Sequence, residues 1–223
     1  MHSSKSLIIF AKQPVAGRVK TRLCPPLTPA QAADLYGCML ADVLAKAARL
    51  PGVTSLLFYQ DEAGAAAWFA THAPALARFP QLGSDLGARM AAAFGQAFRL
   101  GATTVAIIGS DSPDLPPDRI GQAYRLLANG QTDAVFGPSE DGGYYLLAMN
   151  HLHGELFRGI EWSTGTVLEK SLARAKAAGI RTALLPTWHD VDTAADLARP
   201  ELRDETNDAP MTRNFLNRLR AEG

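Results

Sequence analysis

The chain has 223 residues, and its 22 lysines and arginines are balanced by 22 aspartates and glutamates. Such a balance supplies no global field to recruit nucleic acid or an anionic membrane, so any phosphate binding must be local. The length suits one α/β domain over residues 1–223 with a single core.

No apolar run approaches the roughly 20 residues that span a bilayer, and the amino terminus lacks the basic region and long apolar stretch of a signal peptide. A cytoplasmic location without a membrane span is expected. Cys24 and Cys38 lack the clustered spacing of a zinc site or redox pair and read as incidental thiols.

Taken in order, apolar strand-like runs alternate with helical patterns: a strand at Leu7 to Ala11, a helix at Pro29 to Arg49, a strand at Val53 to Tyr59 and a helix at Glu62 to His72. Alternation of this kind predicts parallel β-α-β units. Thr28-Pro29-Ala30-Gln31 has the cap, proline and glutamine of a helix start. Further helices are predicted from about Asp85 to Leu100, stopped by Gly101, and from Pro116 to Asn129, stopped by Gly130. Strands Thr103 to Ile108 and Asp133 to Gly137 follow them. Gly142 to Met149 then reads as a strand with no helix before it, which predicts a mixed sheet. A helix from Ser163 to Ala178, a last central strand from Ile180 to Leu185 and short helices from Thr193 to Arg220 complete the chain. The expected architecture is a three-layer α/β/α domain around a mostly parallel, mixed sheet.

Polar clusters follow the predicted strands, at the edge where open α/β sheets bind ligands. After the first strand, Lys12, Arg18, Lys20 and Arg22 surround Gly17 in one loop. Amides freed by glycine, with lysine and arginine donors, cradle a di- or triphosphate; the alternative is a solvated basic loop. The spacing is neither a Walker loop nor G-x-G-x-x-G. The glycine-punctuated turn Gln81 to Met90 holds Gly87 and Arg89, which could enclose a base or phosphate, while Ser84 or Asp85 caps the following helix. After the central run Val105 to Ile108 comes Gly109-Ser110-Asp111-Ser112-Pro113-Asp114. Asp111 is placed to hold a divalent cation through oxygen, and Asp114 to organise the turn into the helix at Pro116. Glu140 and Asp141 add carboxylates beside Gly142 and Gly143, where a simple turn is the alternative. Asp190 and Asp192 alternate with Val191, so both carboxylates would face one side, and Thr193 would cap a short helix with Asp196 in its first turn. His151-Leu152-His153 lacks a third donor and reads as surface. Basic groups at one loop and carboxylates at others describe a site for a nucleotide and a divalent ion, Mg2+ or Mn2+.

These motifs together resemble a known family. Phe10-Ala11-Lys12-x-Pro14-x-x-Gly17-x-Val19-Lys20-Thr21-Arg22-Leu23, Asp85-Leu86-Gly87-x-Arg89-Met90, Gly109-x-Asp111-x-Pro113, Asp141-Gly142-Gly143-Tyr144 and Asp190-Val191-Asp192-Thr193 are similar to a bacterial family of uncharacterised, glycosyltransferase-like proteins. That family belongs to the nucleotide-diphospho-sugar transferase superfamily with the GT-A fold, and some members are labelled arsenosugar-biosynthesis glycosyltransferases. More distant is a similarity to the guanylyltransferases that act on phospholactate and on molybdenum cofactor. The resemblance implies that Lys12, Gly17, Lys20 and Arg22 bind the nucleotide phosphates. It makes Asp111 the principal metal ligand, with Asp192 or Asp190 completing the site, and puts Gly142, Gly143 and Tyr144, beside Asp141, on the acceptor or sugar side. Asp111-Ser112-Pro113 departs from the D-x-D of GT-A enzymes, which leaves the second ligand open.

Two enzyme classes fit. The first is a metal-dependent transferase using a nucleoside-diphosphate sugar and a small-molecule acceptor, in which Asp111, Lys20 and Arg22 carry catalysis by stabilising the departing diphosphate. The second is a nucleotidyltransferase that holds a nucleoside triphosphate and releases pyrophosphate, which the number of cations in the first loop favours. An aspartyl nucleophile at Asp111 is disfavoured, because position 113 is proline where a paired acid is needed. A nucleotide-binding module without turnover would use the same loops. Base, sugar, acceptor and oligomeric state are not encoded in any residue of these motifs.

Overall fold

The computed structural model describes residues 4–222. Strands β1 (Lys5–Ala11) and β2 (Val53–Tyr59) are joined by helix α1 (Pro29–Ala48), and β2 and β3 (Ala77–Pro80) by α2 (Ala65–His72). Helix α3 (Leu86–Arg99) precedes β4 (Thr104–Ile108), and α4 (Pro117–Ala128) precedes β5 (Ala134–Pro138). A turn then leads to β6 (Tyr144–Met149), followed by α5 (Val167–Ala177), β7 (Thr182–Leu184) and α6 (Pro210–Glu222).

All seven strands lie in one sheet, ordered β3-β2-β1-β4-β6-β5-β7. β6 is antiparallel to β4 and β5, and the other pairings are parallel, so the sheet is mixed as expected. Central strands are apolar along their whole length because both faces are covered. Leu7, Ile9, Ala106, Ile108 and Val135 pack on one face with residues of α1, α2 and α4. Ile8, Val105, Ile107, Phe136 and Leu147 pack on the other with residues of α3 and α5. Truncating a fully buried ring such as Phe94 or Phe136 in such a layer costs about 3–5 kcal/mol.

Helix α1 begins with the capping box read from the sequence: Thr28 Oγ1 accepts from Gln31 N (3.2 Å), and Gln31 Oε1 accepts from Thr28 N (2.9 Å). Its outer side contributes Leu35 and Met39 to a further apolar layer with Leu23, Leu202, Phe215 and Leu216. Asp85 caps α3 by accepting from Ala88 N at 2.8 Å. Among the described residues no helix is long and apolar enough to cross a membrane.

Three elements differ from the sequence expectation. β3 was not anticipated, because Ala-Arg-Phe-Pro has no apolar run and only β2 pairs with it. β7 lies at the sheet edge and not centrally, with Leu184 52% exposed, since only β5 pairs with it. The carboxyl-terminal region contains two 3-10 turns and the 13-residue helix α6. That helix is fixed across α1 by Asp42, whose carboxylate accepts from the amides of Met211 (3.0 Å) and Thr212 (2.8 Å) and from Thr212 Oγ1 (2.7 Å). A carboxylate thus satisfies first-turn amides that have no partner within the helix. Asp42→Ala leaves the buried amide and hydroxyl of Thr212 unpaired and should cost about 3 kcal/mol, seen in calorimetry as a Tm lower by roughly 6–12 °C.

Candidate functional site

β1 and β4 are neighbours, and the strand order runs outward from them in both directions. The loops leaving their carboxyl ends, residues 12–28 and 109–116, therefore open at the point where α/β sheets accommodate ligands. In the first loop Val19 packs on Ala33 and Tyr36, while Leu23 enters the layer under α1. With apolar anchors on both sides, Lys20 takes a left-handed backbone conformation (φ 48°) and turns its side chain inward. Its Nζ donates to Asp111 Oδ1 at 2.5 Å and to Asp192 Oδ1 at 2.7 Å. The lysine side chain is 4% exposed and the two carboxylates 44% and 42%, so the ammonium is buried beneath a pair of acids that still face solvent. Burial alone would lower the lysine pKa, but the charges and hydrogen bonds of Asp111 and Asp192 outweigh it and hold it above the ordinary value. Lys20 keeps its proton.

The second loop is mostly buried. Ser110, Ser112 and Asp114 are buried, whereas Asp111 projects outward. Ser110 Oγ meets Tyr36 Oη at 2.7 Å, and Tyr36 Oη accepts from Lys12 N at 2.9 Å, so one phenol joins the two loops. Burial pushes the Tyr36 phenol up to about 12, and it stays neutral. Asp114 does not organise the start of α4 as the sequence suggested, since that helix has no side-chain cap. Its carboxylate is instead buried 3.0 Å from His189 Nε2, too poorly aligned for a good hydrogen bond, with Trp188 Nε1 3.4 Å from its other oxygen. Beside it, Lys46 of α1 donates through Nζ to the carbonyls of Pro113 (2.8 Å) and Leu115 (2.5 Å). Burial pulls the Lys46 pKa down to about 8 against the opposing charge of Asp114.

The segment after β7 is stitched to this loop. Val191 is buried, and its amide donates to the carbonyl of Asp111 at 2.8 Å. Asp190 accepts from Ser112 Oγ at 2.6 Å, and burial, reinforced by the charges of Asp111, Asp192 and Asp141, raises its pKa to about 7. Asp192 alone of the two reaches Lys20. Thr193 is not a cap: its amide and hydroxyl, with the amide of Asp192, donate to Asp196.

Other expected site residues are occupied elsewhere. Asp141 accepts from Ser139 Oγ (2.5 Å) and Gly143 N (2.9 Å), closing its own turn. Gly142 has φ +87°, and a Cβ there would overlap the Gly165 carbonyl. As the first residue of β6, Tyr144 falls on the α3/α5 face, with its hydroxyl 3.9 Å from Met90 Sδ and its ring edge-on to Phe136. Gly87 is covered by the indole of Trp162, which a Cβ would overlap, so its small size serves packing and leaves no room for phosphate on that side. Arg89 Nε reaches back to the Gly83 carbonyl at 3.3 Å. Lys12, Gly17 and Arg22 are exposed around Lys20.

Sequence reasoning missed Tyr36, Lys46, Ser112 and His189. For the first two a signal existed, because they interrupt the apolar stripe Tyr36, Met39, Leu40, Val43, Lys46, Ala47 at helical spacing.

Comparisons with known proteins agree with this fold. The family model "Uncharacterized protein conserved in bacteria (DUF2064)" matches residues 43–164. A candidate nucleotide-diphospho-sugar transferase from Desulfovibrio desulfuricans G20 is 31% identical, with a TM-score of 0.88 over 98% of this chain and 96% of that one. Similar in fold alone are a cytidylyltransferase from Leptospira borgpetersenii (10% identity, TM-score 0.60, 99% and 95% of the two chains) and the molybdopterin-guanine dinucleotide biosynthesis protein A of Archaeoglobus fulgidus (13%, 0.52, 98% and 100%). No functionally curated protein matches in sequence.

Lys46 makes the buried network titratable. Its native pKa of about 8 lies below the ordinary 10.5, so between those values the unfolded chain binds more protons and stability rises with pH. The Tm of the wild type relative to Lys46→Met should therefore increase from pH 8 to pH 10.5, a trend that paired calorimetric scans will check.

Proposed function

We propose, from the premise that the chain belongs to the DUF2064 family, that it is a cytoplasmic, metal-dependent transferase of the glycosyltransferase type, using a nucleoside-diphosphate sugar and a small-molecule acceptor. The observation that carries this reading is the Lys20 ammonium held between Asp111 and Asp192 at the β1/β4 edge. Support comes from the candidate nucleotide-diphospho-sugar transferase that matches nearly the whole chain.

The donor set suits a hard cation. Asp111 and Asp192 bring carboxylate oxygens to one point, whereas the described residues contain no group of three or more His, Cys, Asp or Glu able to hold a metal. Mg2+ commonly takes one or two carboxylates and completes its shell with phosphate oxygens and water. Bound Mg2+ or Mn2+ at Asp111 and Asp192 would supply neutralisation of phosphate charge. Asp190, engaged by Ser112, would support Asp111 from below.

The protein's own groups do the rest. Lys12, Arg22 and the amides around Gly17 bind the phosphates, and Arg22 can do so in bidentate fashion. Transfer breaks the bond between the anomeric carbon and the diphosphate oxygen and forms one from that carbon to the acceptor oxygen, whose proton leaves to solvent. Negative charge grows on the departing diphosphate. Lys20, permanently protonated and held in place before the reaction, stabilises that charge without reorganising. The acceptor would approach from the side of Asp141, Gly142 and Gly143.

A second reading, nucleotidyl transfer with pyrophosphate release, is favoured by one observation. Lys12 and Arg22 lie exposed in the loop that holds Lys20, and Arg18, also exposed, makes a 3.5 Å surface pair with Glu62 that a triphosphate can displace, which gives more cations than a diphosphate requires.

A thermal-shift panel of nucleotides and nucleotide sugars with and without Mn2+ tests both readings. A ligand at about 100 times its Kd adds roughly 2.7 kcal/mol of stability, and Asp111→Ala and Lys20→Met should each abolish the Mn2+-dependent part. Preference for nucleoside-diphosphate sugars supports the first reading; preference for triphosphates, with pyrophosphate released onto a phosphorylated acceptor, supports the second. Mn2+-dependent stabilisation that survives in Asp111→Ala would sink both.

A further inference from the structure

Lys46 is a charged side chain with no place in the site's chemistry as described. It is buried on the sheet-facing side of α1 and donates to the carbonyls on either side of Asp114. The charges facing it are Asp114 from the loop, Asp42 and Arg49 along α1, and Asp208 ahead of α6. Burying an ammonium costs several kcal/mol, and an apolar side chain of similar length would fill the same volume but leave the Pro113 and Leu115 carbonyls without this donor. Packing does not account for it.

An ammonium can fix two carbonyls, and methionine cannot. Pro113 and Leu115 lie just beyond Asp111, and Tyr36, ten residues earlier on the same helix, holds Ser110 just before it. Helix α1 thereby grips the loop on both sides of the carboxylate that meets Lys20. The opposite side of the loop is tied to the segment carrying Asp192, through the Asp111 carbonyl to Val191 N, Ser112 Oγ to Asp190, and the 3.0 Å contact of Asp114 with His189. Loosening Pro113 and Leu115 would release Asp111 and this segment together.

We infer that Lys46 is a positioning residue: by clamping the Pro113 and Leu115 carbonyls it holds the 109–116 loop so that Asp111 and Asp192 converge on one point, without itself touching ligand. The inference rests on the transferase reading of the site. Groups that orient metal ligands through a second layer of contacts typically change metal affinity by about 10–100-fold when removed.

The probe is Mn2+ with inorganic pyrophosphate, the moiety common to nucleoside di- and triphosphates. Binding is read by electron paramagnetic resonance in the wild type, Lys46→Met, Lys46→Met/Asp114→Asn and Asp111→Ala. Lys46→Met should weaken Mn2+-pyrophosphate binding at least about tenfold and return the Mn2+ spectrum toward that of free Mn2+-pyrophosphate, while circular dichroism and cooperative melting persist. A purely structural lysine would shift melting and leave the bound spectrum unchanged. The double variant removes both buried charges and repeats the test if the single one folds poorly. Wild-type affinity and spectrum in either folded variant, with binding lost in Asp111→Ala, overturn the role of Lys46 alone. Failure of both variants to fold makes Lys46 a stability residue and likewise overturns it. Absent binding in the wild type, or intact binding in Asp111→Ala, overturns the site reading and this inference with it.

Discussion

The arrangement of the site follows from one buried ammonium facing two carboxylates. Lys20 has lost its hydration to burial, so its charge is sustained only while Asp111 and Asp192 stay within hydrogen-bond reach. Asp111 and Asp192 come from segments 91 and 172 residues from Lys20 along the chain. A contact so remote in sequence demands that each loop be fixed independently, and each is. Val19 and Leu23 seat the first loop, Tyr36 and Lys46 seat the second, and the buried Val191 with Asp196 seats the third. Coulomb attraction completes the geometry and the packing creates it.

Helix α1 is the common support. One side of it packs on the sheet, the opposite side takes α6, and the polar ends of Tyr36 and Lys46 emerge where the helix passes the β4 loop. An apolar helix would bury area as well but would leave Ser110 and two carbonyls unpaired. Buried polar groups left without partners cost about 1–3 kcal/mol each, so stability and site geometry are served by the same contacts.

The central strands and their order of alternation with helices were legible because burial on both faces writes itself as continuous apolar runs. β3 was not, since an edge strand needs a partner on one side only and Ala-Arg-Phe-Pro carries little apolar signal; the β7 strand was legible, but its place at the sheet edge was not. Loop composition pointed to Lys20, Asp111 and Asp192, where residue type at a strand end is informative. It failed at Asp114, Tyr144 and Gly87. Asp114 looks like a turn residue, but its environment is set by Lys46, Trp188 and His189, which are distant in the chain. Tyr144 follows a glycine turn, yet the pleat of β6 packs it, partly buried, against the α3/α5 layer. Gly87 is small because of Trp162, a contact that local spacing cannot reveal.

Charge balance explains why so many acids share one edge. Asp111, Asp190 and Asp192 are close enough to influence one another, and a single ammonium lies among them. The fold relieves the repulsion unevenly. Asp190 is the most deeply enclosed, hydrogen-bonded to Ser112, and its pKa near 7 lets it carry a proton for part of the time at neutral pH. Asp111 and Asp192 stay half-exposed, two carboxylates against one lysine, which leaves an excess negative charge directed at solvent. Exposed Lys12 and Arg22 lie in the same loop as Lys20, while Arg18 pairs with Glu62 at 3.5 Å, so an anionic phosphate still meets that excess. It is accepted best when a further positive charge arrives between it and the carboxylates. That electrostatic demand is the physical content of the proposed metal dependence.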